Sequence, residues 1–367
     1  MKKRLFKTIK IIAVLIITLF IVLAAIILSN RMDKAVITKY VKNENLPTVK
    51  AGWQGTPVDQ KGRFVNAEFP FLSRTIDLLR WQLSGNPQKA EKQNDTARPE
   101  IEDPAEFLNS ERDGVLWLGH ATVFIRLNGV NVLLDPIFGK PPFVKTFTDV
   151  PSPLDKIKRV DYILISHDHR DHCDETSIKQ TAEKFPDARI LGGLGMEDLF
   201  EEWKTPSNKI ETAGWYQQFS TPDERVKIYF LPVRHWARRG LFDMNRRLWG
   251  AFVVEGAGKT VYFGGDSGYG SHYTELAEVF PRIDYFVVGI GAYSPRWFMK
   301  PNHNSPEDAF QAFVDSKAQT LIPMHYGTFD LSDEPPSEPL RLLREAAEKS
   351  GAIDRVKVLP IGGNLDF

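Results

Sequence analysis

The spacing of apolar and polar positions changes several times along this chain, and each change predicts a different element. Ile11 to Leu28 is apolar throughout except at Thr18, and it follows Lys2, Lys3, Arg4, Lys7 and Lys10. As a helix rising ~1.5 Å per residue, such a run approaches the thickness of a hydrocarbon core of ~30 Å. Residues 30–60 mix polar and apolar positions without a period and read as a linker. Within Phe69–Leu83, Phe71, Leu72, Ile76, Leu78, Leu79 and Trp81 predict a helix that covers the core or touches lipid. Asn86–Asp103 is poor in apolar residues and reads as a loop.

From Val115 the pattern becomes one of short strands. Val115–Leu118, Thr122–Leu127 and Val130–Leu134 are β-type runs, the last two joined by Asn128-Gly129, a hairpin signal. Further strands are predicted at Val160–Ile165, Val226–Leu231, Trp249–Val254, Thr260–Phe263, Tyr285–Val288 and Thr320–Pro323. Ile178, Ala182 and Phe185 give a helix after Asp174. Ser305-Pro306-Glu307-Asp308 opens another with an N-cap, a proline at N1 and an acidic N3. A last helix near Pro339–Ser350 ends at Gly351. Strands alternating with helices, with strand-rich stretches opening each half, define an α/β chain.

The N-terminal run fits either an uncleaved anchor or a cleaved signal peptide. Its length and the lack of an Ala-x-Ala site favour a transmembrane anchor, and no cysteine follows to make a lipoprotein box. The basic residues ahead of it place the N-terminus in the cytoplasm. Everything from about Arg31 then lies on the far side, the periplasm or outer surface if the source is bacterial.

Composition narrows the classes. The 367 residues are 42% hydrophobic, enough for a substantial core, and the 47 Lys+Arg balance the 47 Asp+Glu. No global charge recruits nucleic acid; Arg238-Arg239 and Arg246-Arg247 are local basic pairs only. Cys173 is the only cysteine, which excludes an intrachain disulfide and a cysteine-built zinc site.

The chemistry concentrates in Ser-His167-Asp-His169-Arg-Asp171-His172, directly after the apolar run Val160–Ile165. Imidazole and carboxylate are the donors that suit zinc and similar metals. The theme recurs at strand ends: Tyr229–Leu231 leads to His235, Val261–Phe263 through Gly264-Gly265 to Asp266, and Leu321-Ile322 to His325. Gly264 and Gly265 suit a close backbone approach, and Gly268 and Gly270 loosen the far side. Seven donors exceed one tetrahedral zinc and suit two metals sharing a carboxylate. Such a pair acidifies bound water to about 7 and stabilises attacking and leaving oxygens, so the chemistry implied is hydrolysis.

His167-x-His169-x-Asp171-His172 with His235, Asp266 and His325 resembles the metallo-β-lactamase superfamily of binuclear metallohydrolases over roughly residues 113–367. The resemblance implies an αββα sandwich with the site where the two sheets meet. It implies His167, His169 and His235 on one metal, Asp171, His172 and His325 on the other, and Asp266 bridging, with two Zn2+ or other divalent ions as cofactors. Lys61-Gly-Arg-Phe-Val-Asn66, Trp117-Leu-Gly-His-Ala-Thr122, Asp135-Pro-Ile-Phe138, His235-Trp236 and Leu248-Trp-Gly250 narrow the resemblance. Gly265-Asp-Ser-Gly-Tyr269, Gly289-Ile-Gly-Ala-Tyr293, Pro295-Arg-Trp-Phe-Met-Lys300 and His325-Tyr-Gly-Thr-Phe329 continue it, and together they are similar to the phospholipases D that hydrolyse N-acylphosphatidylethanolamine. His303 falls where that family has a functional histidine. Asp168, Arg170 and Cys173 depart from the family's pattern, as does the N-terminal anchor; Arg170 puts substrate shape in question, and Cys173 reads as a small core residue.

The expected organisation is a basic cytoplasmic N-terminus (1–10), a transmembrane anchor (11–29), a juxtamembrane linker (30–60), an N-terminal extension of the catalytic domain (61–112) and the metallo-hydrolase domain (113–367). The expected reaction is hydrolysis of a lipid phosphodiester to an N-acylethanolamine and phosphatidic acid. Asp266 and Asp171 are its catalytic carboxylates, and His303 contacts phosphate or protonates the leaving oxygen. A phospholipid is the expected partner and nucleic acid is not; the residues leave open whether the chain forms a homodimer. A lactone hydrolase is the main rival. Pro295–Lys300 argues against a β-lactamase, zero net charge and the far-side location against a nuclease, and seven intact donors against a decayed scaffold. His120 and His272 have no ligand role, His120 reading as a supporting residue.

Overall fold

The computed structural model describes residues 2–30, 36–70, 75–142, 144–206, 209–222 and 224–367; side chains at 2–7, 22–23, 25–30 and 75–76 lie outside the description. The chain opens with helix α1 (Lys2–Asn30), whose described apolar side chains from Ile9 to Ile21 are exposed. Among the described residues no helix is long and apolar enough to cross a membrane. The single-pass anchor expected at 11–29 is therefore not supported, nor is the far-side placement that followed from it; positions 22–23 and 25–28 of the apolar run have side chains outside the description.

The body begins with β1 (Ile37–Val41), β2 (Thr56–Asp59), α2 (Thr75–Ser84), α3 (Lys89–Asn94) and α4 (Ala105–Asn109). A first half follows: β3 (Gly114–Trp117), β4 (Val123–Leu127), β5 (Val130–Leu134), β6 (Lys145–Thr146), β7 (Tyr162–Ile165), α5 (Glu175–Lys184), β8 (Arg189–Gly193), α6 (Met196–Glu202) and β9 (Ile210–Ala213). The second half comprises β10 (Gln217–Gln218), β11 (Val226–Leu231), β12 (Ala251–Gly256), β13 (Lys259–Phe263), α7 (His272–Val279), β14 (Tyr285–Gly289), α8 (Arg296–Met299), α9 (Pro306–Asp315), β15 (Thr320–Met324), β16 (Phe329–Asp330) and α10 (Glu338–Lys349). Finally β17 (Asn364–Asp366) returns to pair with β3.

The strands make a seven-stranded sheet, β17-β3-β4-β5-β7-β8-β9, and a six-stranded sheet, β10-β11-β12-β13-β14-β15. Alternation along the first sheet explains the layering, because successive side chains point to opposite faces. Val115, Trp117, Val132, Leu134 and Leu164 join Phe230, Phe252, Val261 and Phe286 of the second sheet in one core. Leu116, Phe124, Leu133, Ile163 and Ile165 face the other way and pack with Ile178 and Ala182 of α5 and Leu199 and Phe200 of α6. Two sheets covered by helices are the αββα sandwich expected.

Local signals held where the chemistry is local. Asn128 (φ +53°) and Gly129 (φ +70°) turn β4 into β5. Asp174 caps α5, its carboxylate accepting from Ser177 N at 2.8 Å, and Ser305 forms a capping box with Asp308. Two stretches differ from expectation, and a third agrees with it where it is described. The stretch 30–60, read as a linker, is folded onto the core from residue 37: β1 pairs with β2, Leu46 and Val58 are buried, and Gln217 Nε2 donates to Asn43 O and Leu46 O. The loop at Asn86–Asp103 contains α3, which buries no residue and so leaves no periodicity to read. The helix expected over Phe69–Leu83 is α2; positions 71–74 lie outside the described residues.

Candidate metal centre

Parallel strand direction gathers the donors. β5, β7 and β8 run parallel, as do β13, β14 and β15, and β11 shares their direction through two antiparallel steps. The C-terminal ends of β7, β11, β13 and β15 therefore meet at one edge, where a rigid sheet can bring distant residues together. All seven expected donors lie there.

They form two groups. His167 Nε2 and His235 Nε2 stand 2.9 and 3.1 Å from His169 Nδ1, and Asp266 Oδ2 is 3.9 and 3.8 Å from the first two. In the second, His325 Nε2 lies 3.1 Å from His172 Nε2 and 3.6 Å from Asp171 Oδ2, and His172 Nε2 is 3.7 Å from the same oxygen. Asp266 reaches across, with Oδ2 at 3.2 Å from His172 Nε2 and Oδ1 at 3.1 Å from His325 Nε2. Donor atoms within each group are all within 4.8 Å of one another. Ring nitrogens this close satisfy each other only through a shared proton or a cation, and the outer nitrogens His169 Nε2 and His325 Nδ1 are buried without a hydrogen-bond partner. The donor set fits two divalent ions, with Asp266 between them.

A carboxylate that sequence reading left outside the site orients both groups. Asp135, fully buried at the end of β5, accepts from Ser166 N (2.7 Å) and Ser166 Oγ (2.6 Å), and from His172 Nδ1 (2.8 Å). Ser166 Oγ, having donated to Asp135, accepts from His167 Nδ1 at 2.9 Å. One carboxylate thereby leaves Nε2 of both His167 and His172 as lone-pair donors. Asp135 stands at a strand end like the expected donors, immediately after Val130–Leu134. His235 is oriented likewise by Asn302 O at 3.0 Å, and Asp171 by His120 Nε2 at 3.1 Å.

Gly265 and Gly268 show why glycine is needed here. Gly265 has φ +54°, and a Cβ on it would stand 2.9 Å from Ser166 Cβ, so the approach of the Asp266 strand to the His167 loop requires its absence. A Cβ on Gly268 would meet the carbonyls of Lys300 and Pro301 at 2.7 Å, and one on Gly270 the ring of Phe69 at 2.6 Å. These two pack the far side tightly rather than loosening it.

Electrostatics separate the groups. Burial, followed by neighbouring imidazoles, holds His167 well below its ordinary value; burial brings His169 to about 4 and His235 to about 3. Each is thereby held as a neutral ring, the form in which imidazole can bind a metal. Burial also opposes charge on His172 and His325, but Asp266 and Asp171 outweigh it, raising His172 well above the ordinary value and His325 to about 9. Asp266 is buried too, yet His172, His325 and His303 hold it well below the usual carboxylate range.

The remaining candidates have distinct places. His303 Nδ1 lies 3.8 Å from Asp266 Oδ2, with its ring partly exposed, and burial pushes it down to about 3. His272 sits behind Asp266, its Nε2 3.1 Å from Ser267 Oγ. Asp168 turns inward to Arg247 at 3.2 Å, and burial raises it to about 6. Cys173 is fully buried in the core, which pushes its thiol up. Arg170 is exposed.

The fold and these groups define a metal-dependent hydrolase. The Beta-lactamase superfamily domain matches residues 130–326, and the chain belongs to the metallo-β-lactamase superfamily. It is 31% identical over 248 residues to N-acyl-phosphatidylethanolamine-hydrolyzing phospholipase D 1 of Caenorhabditis elegans, covering 63% of this chain and 70% of that protein. An uncharacterized protein of Mycobacterium tuberculosis is 30% identical over 321 residues, 82% of each chain. Among solved structures, isothiocyanate hydrolase from Delia radicum gut bacteria shares the fold with a TM-score of 0.57 at 18% identity, over 69% of this chain and 98% of that one.

Proposed function

We propose that the chain is a binuclear zinc phosphodiesterase of phospholipase D type, releasing N-acylethanolamine and phosphatidic acid from N-acylphosphatidylethanolamine-like lipids. The observation that carries the reading is the convergence of seven donors on two groups joined by Asp266. Its resemblance to a relative that hydrolyses such a lipid supplies the substrate class. His167, His169 and His235 would hold one ion, Asp171, His172 and His325 the other, and Asp266 both. Two divalent ions there supply Lewis acidity towards phosphoryl oxygens and a water acidified to near neutrality.

The chain's own residues do the rest. Asp135 and Ser166 fix the rings of His167 and His172, so that donors do not reorganise as charge develops. His120 steadies Asp171. His303, partly exposed beside Asp266, offers its ring N–H to a substrate oxygen; as a neutral ring it serves as a hydrogen-bond donor rather than as the acid for the leaving oxygen. The exposed apolar side chains of α1 from Ile9 to Ile21 support a location against lipid.

The test is incubation of a phospholipid extract with zinc-loaded wild type and Asp266→Ala, followed by mass spectrometry. The expected result is loss of the N-acylated phospholipid and gain of N-acylethanolamine with wild type alone. An untouched extract alongside hydrolysis of a lactone reporter would overturn the reading.

A further inference from the structure

The segment Arg234–Arg247 carries five arginines against one acid, Asp243, and leads directly out of the metal centre. Its base is rigid. Asn245 N donates to Ala237 O at 2.8 Å, Ala237 N donates to Asn245 Oδ1 at 3.1 Å, and Gly240 N donates to Asp243 Oδ1 at 2.8 Å. Arg239 reaches the carbonyls of Asp168 and Cys173, and Arg247 bonds Asp243 at 2.8 Å. On this fixed base the tip presents Leu241 and Phe242, 58% and 60% exposed, where a turn ordinarily carries polar residues.

The same loop, and the His167–Cys173 loop whose carbonyls Arg239 reaches, carry guanidinium groups without a carboxylate. Arg238 lies over the Trp236 ring at 5.6 Å, and that ring packs on His169 at 4.4 Å. Arg246 and Arg170 are exposed. None of these three makes an ion pair among the described residues. Adjacent exposed apolar side chains on a loop that also carries unpaired cations match one surface chemistry, an anionic bilayer: apolar groups enter the acyl boundary while guanidinium groups meet phosphates.

We infer that the Arg238–Arg246 loop docks on bilayers containing anionic phospholipid, Leu241 and Phe242 inserting and Arg238 and Arg246 reading the charge. Only the consequence that the metal centre then faces the headgroups rests on the proposed lipid activity. Arg238 would be a positioning residue, joined to the centre through Trp236.

Because Cys173 is buried, a fluorophore can be placed by Phe242→Cys or Leu241→Cys in the full chain. Vesicles of phosphatidylcholine, with or without phosphatidylglycerol, are added, and emission and quenching by spin-labelled lipid are followed. The label reports immersion of the tip however α1 is held. Phosphatidylglycerol should shift the emission to the blue and permit quenching. Each of Arg238→Gln and Arg246→Gln should raise the phosphatidylglycerol needed about fivefold, and salt should weaken the charge-dependent part. A label at Glu348→Cys should stay in water.

No shift at either tip position would overturn the inference, as would an equal shift with phosphatidylcholine alone or equal quenching at position 348. A lipid-free shift that grows with protein concentration would also overturn it, assigning the tip to a second copy of the chain. The readout needs no turnover: insertion without lipid hydrolysis would count against the proposed activity alone, and hydrolysis without insertion against the docking loop alone.

Discussion

Asp135→Asn should weaken both candidate metal positions at once, although Asp135 is not among the seven expected donors. The substitution conserves volume at a fully buried position, so the fold should survive. In the native centre Asp135 Oδ2 accepts both from Ser166 Oγ and from His172 Nδ1, at 2.6 and 2.8 Å, while Oδ1 takes Ser166 N at 2.7 Å. An amide cannot accept on both sides. With its oxygen kept on Ser166 N, its NH2 confronts Ser166 Oγ and His172 Nδ1. His172 is then driven to the tautomer protonated on Nε2. Ser166 Oγ, now an acceptor from the amide, turns its own proton to His167 Nδ1 and forces the same tautomer there. Each ring must be turned back before its Nε2 can bind. Hydrogen bonds to a charged partner are worth about 1.5–3 kcal/mol. Loss of the group that orients a ligating histidine costs about 10–100-fold in affinity, or about 1.4–2.7 kcal/mol. Titration against a zinc chelator with metal analysis should therefore show both equivalents weakened by that factor. Ser166→Ala, which cuts only the branch to His167, should weaken one. Native affinity for both equivalents in Asp135→Asn would refute the tautomer relay.

Three further outcomes follow from the same geometry. In metal-free protein His325 is raised to about 9 from 6.5, the carboxylates Asp266 and Asp171 overcoming its burial. Its contribution to stability is complete below the unfolded value and is lost as pH rises through about 9, on the order of a few kcal/mol. Urea unfolding of stripped protein should show this slope and zinc-loaded protein should not; a flat apoprotein profile would refute it. Because His172 and His325 carry protons in the metal-free centre, zinc uptake near neutral pH should release about two protons, read by calorimetry in buffers of different ionisation enthalpy. Buffer-independent heats would contradict that assignment. Gly265→Ala combines a left-handed backbone with a Cβ 2.9 Å from Ser166 Cβ and should cost about 1–3 kcal/mol by urea unfolding; an unchanged midpoint would mean that Ser166 can yield.

The candidate donors were legible because each follows an apolar run that reads as a buried strand. Ile163–Ile165 ahead of His167 and Val261–Phe263 ahead of Asp266 announce both the element and the place where it ends. Asp135 obeys the same rule, but a lone aspartate before proline carries no excess of metal chemistry, and its role lies in a contact with His172, 37 positions away. The folding of residues 37–66 onto the core was hidden for another reason. Its anchors are side-chain bonds such as Asn43 N to Gln217 Oε1 and the buried pair Asp59–Arg63 at 2.7 Å, which leave no periodic trace. The exposed Leu241-Phe242 tip escaped notice because two apolar residues in a row look like core until their exposure is known.

Three residues other than glycine hold left-handed backbone at this centre: His120 (φ +47°), Asp135 (φ +41°) and His325 (φ +62°). Such positions cost on the order of 1 kcal/mol each and persist only where the surroundings fix them. Here the two histidines fix each other. His325 N donates to His120 O at 2.9 Å, His120 N donates to Thr328 Oγ1 at 3.0 Å, and the two rings lie 4.0 Å apart. His120 follows β3 of the first sheet and His325 follows β15 of the second, so the strained pair ties the two sheets together at the mouth of the sandwich. Asp135 N is held separately by Leu164 O at 2.9 Å, within the first sheet. The strain is thus carried by backbone contacts and not by the converging side-chain nitrogens, so the candidate donors are placed by the strand ends themselves.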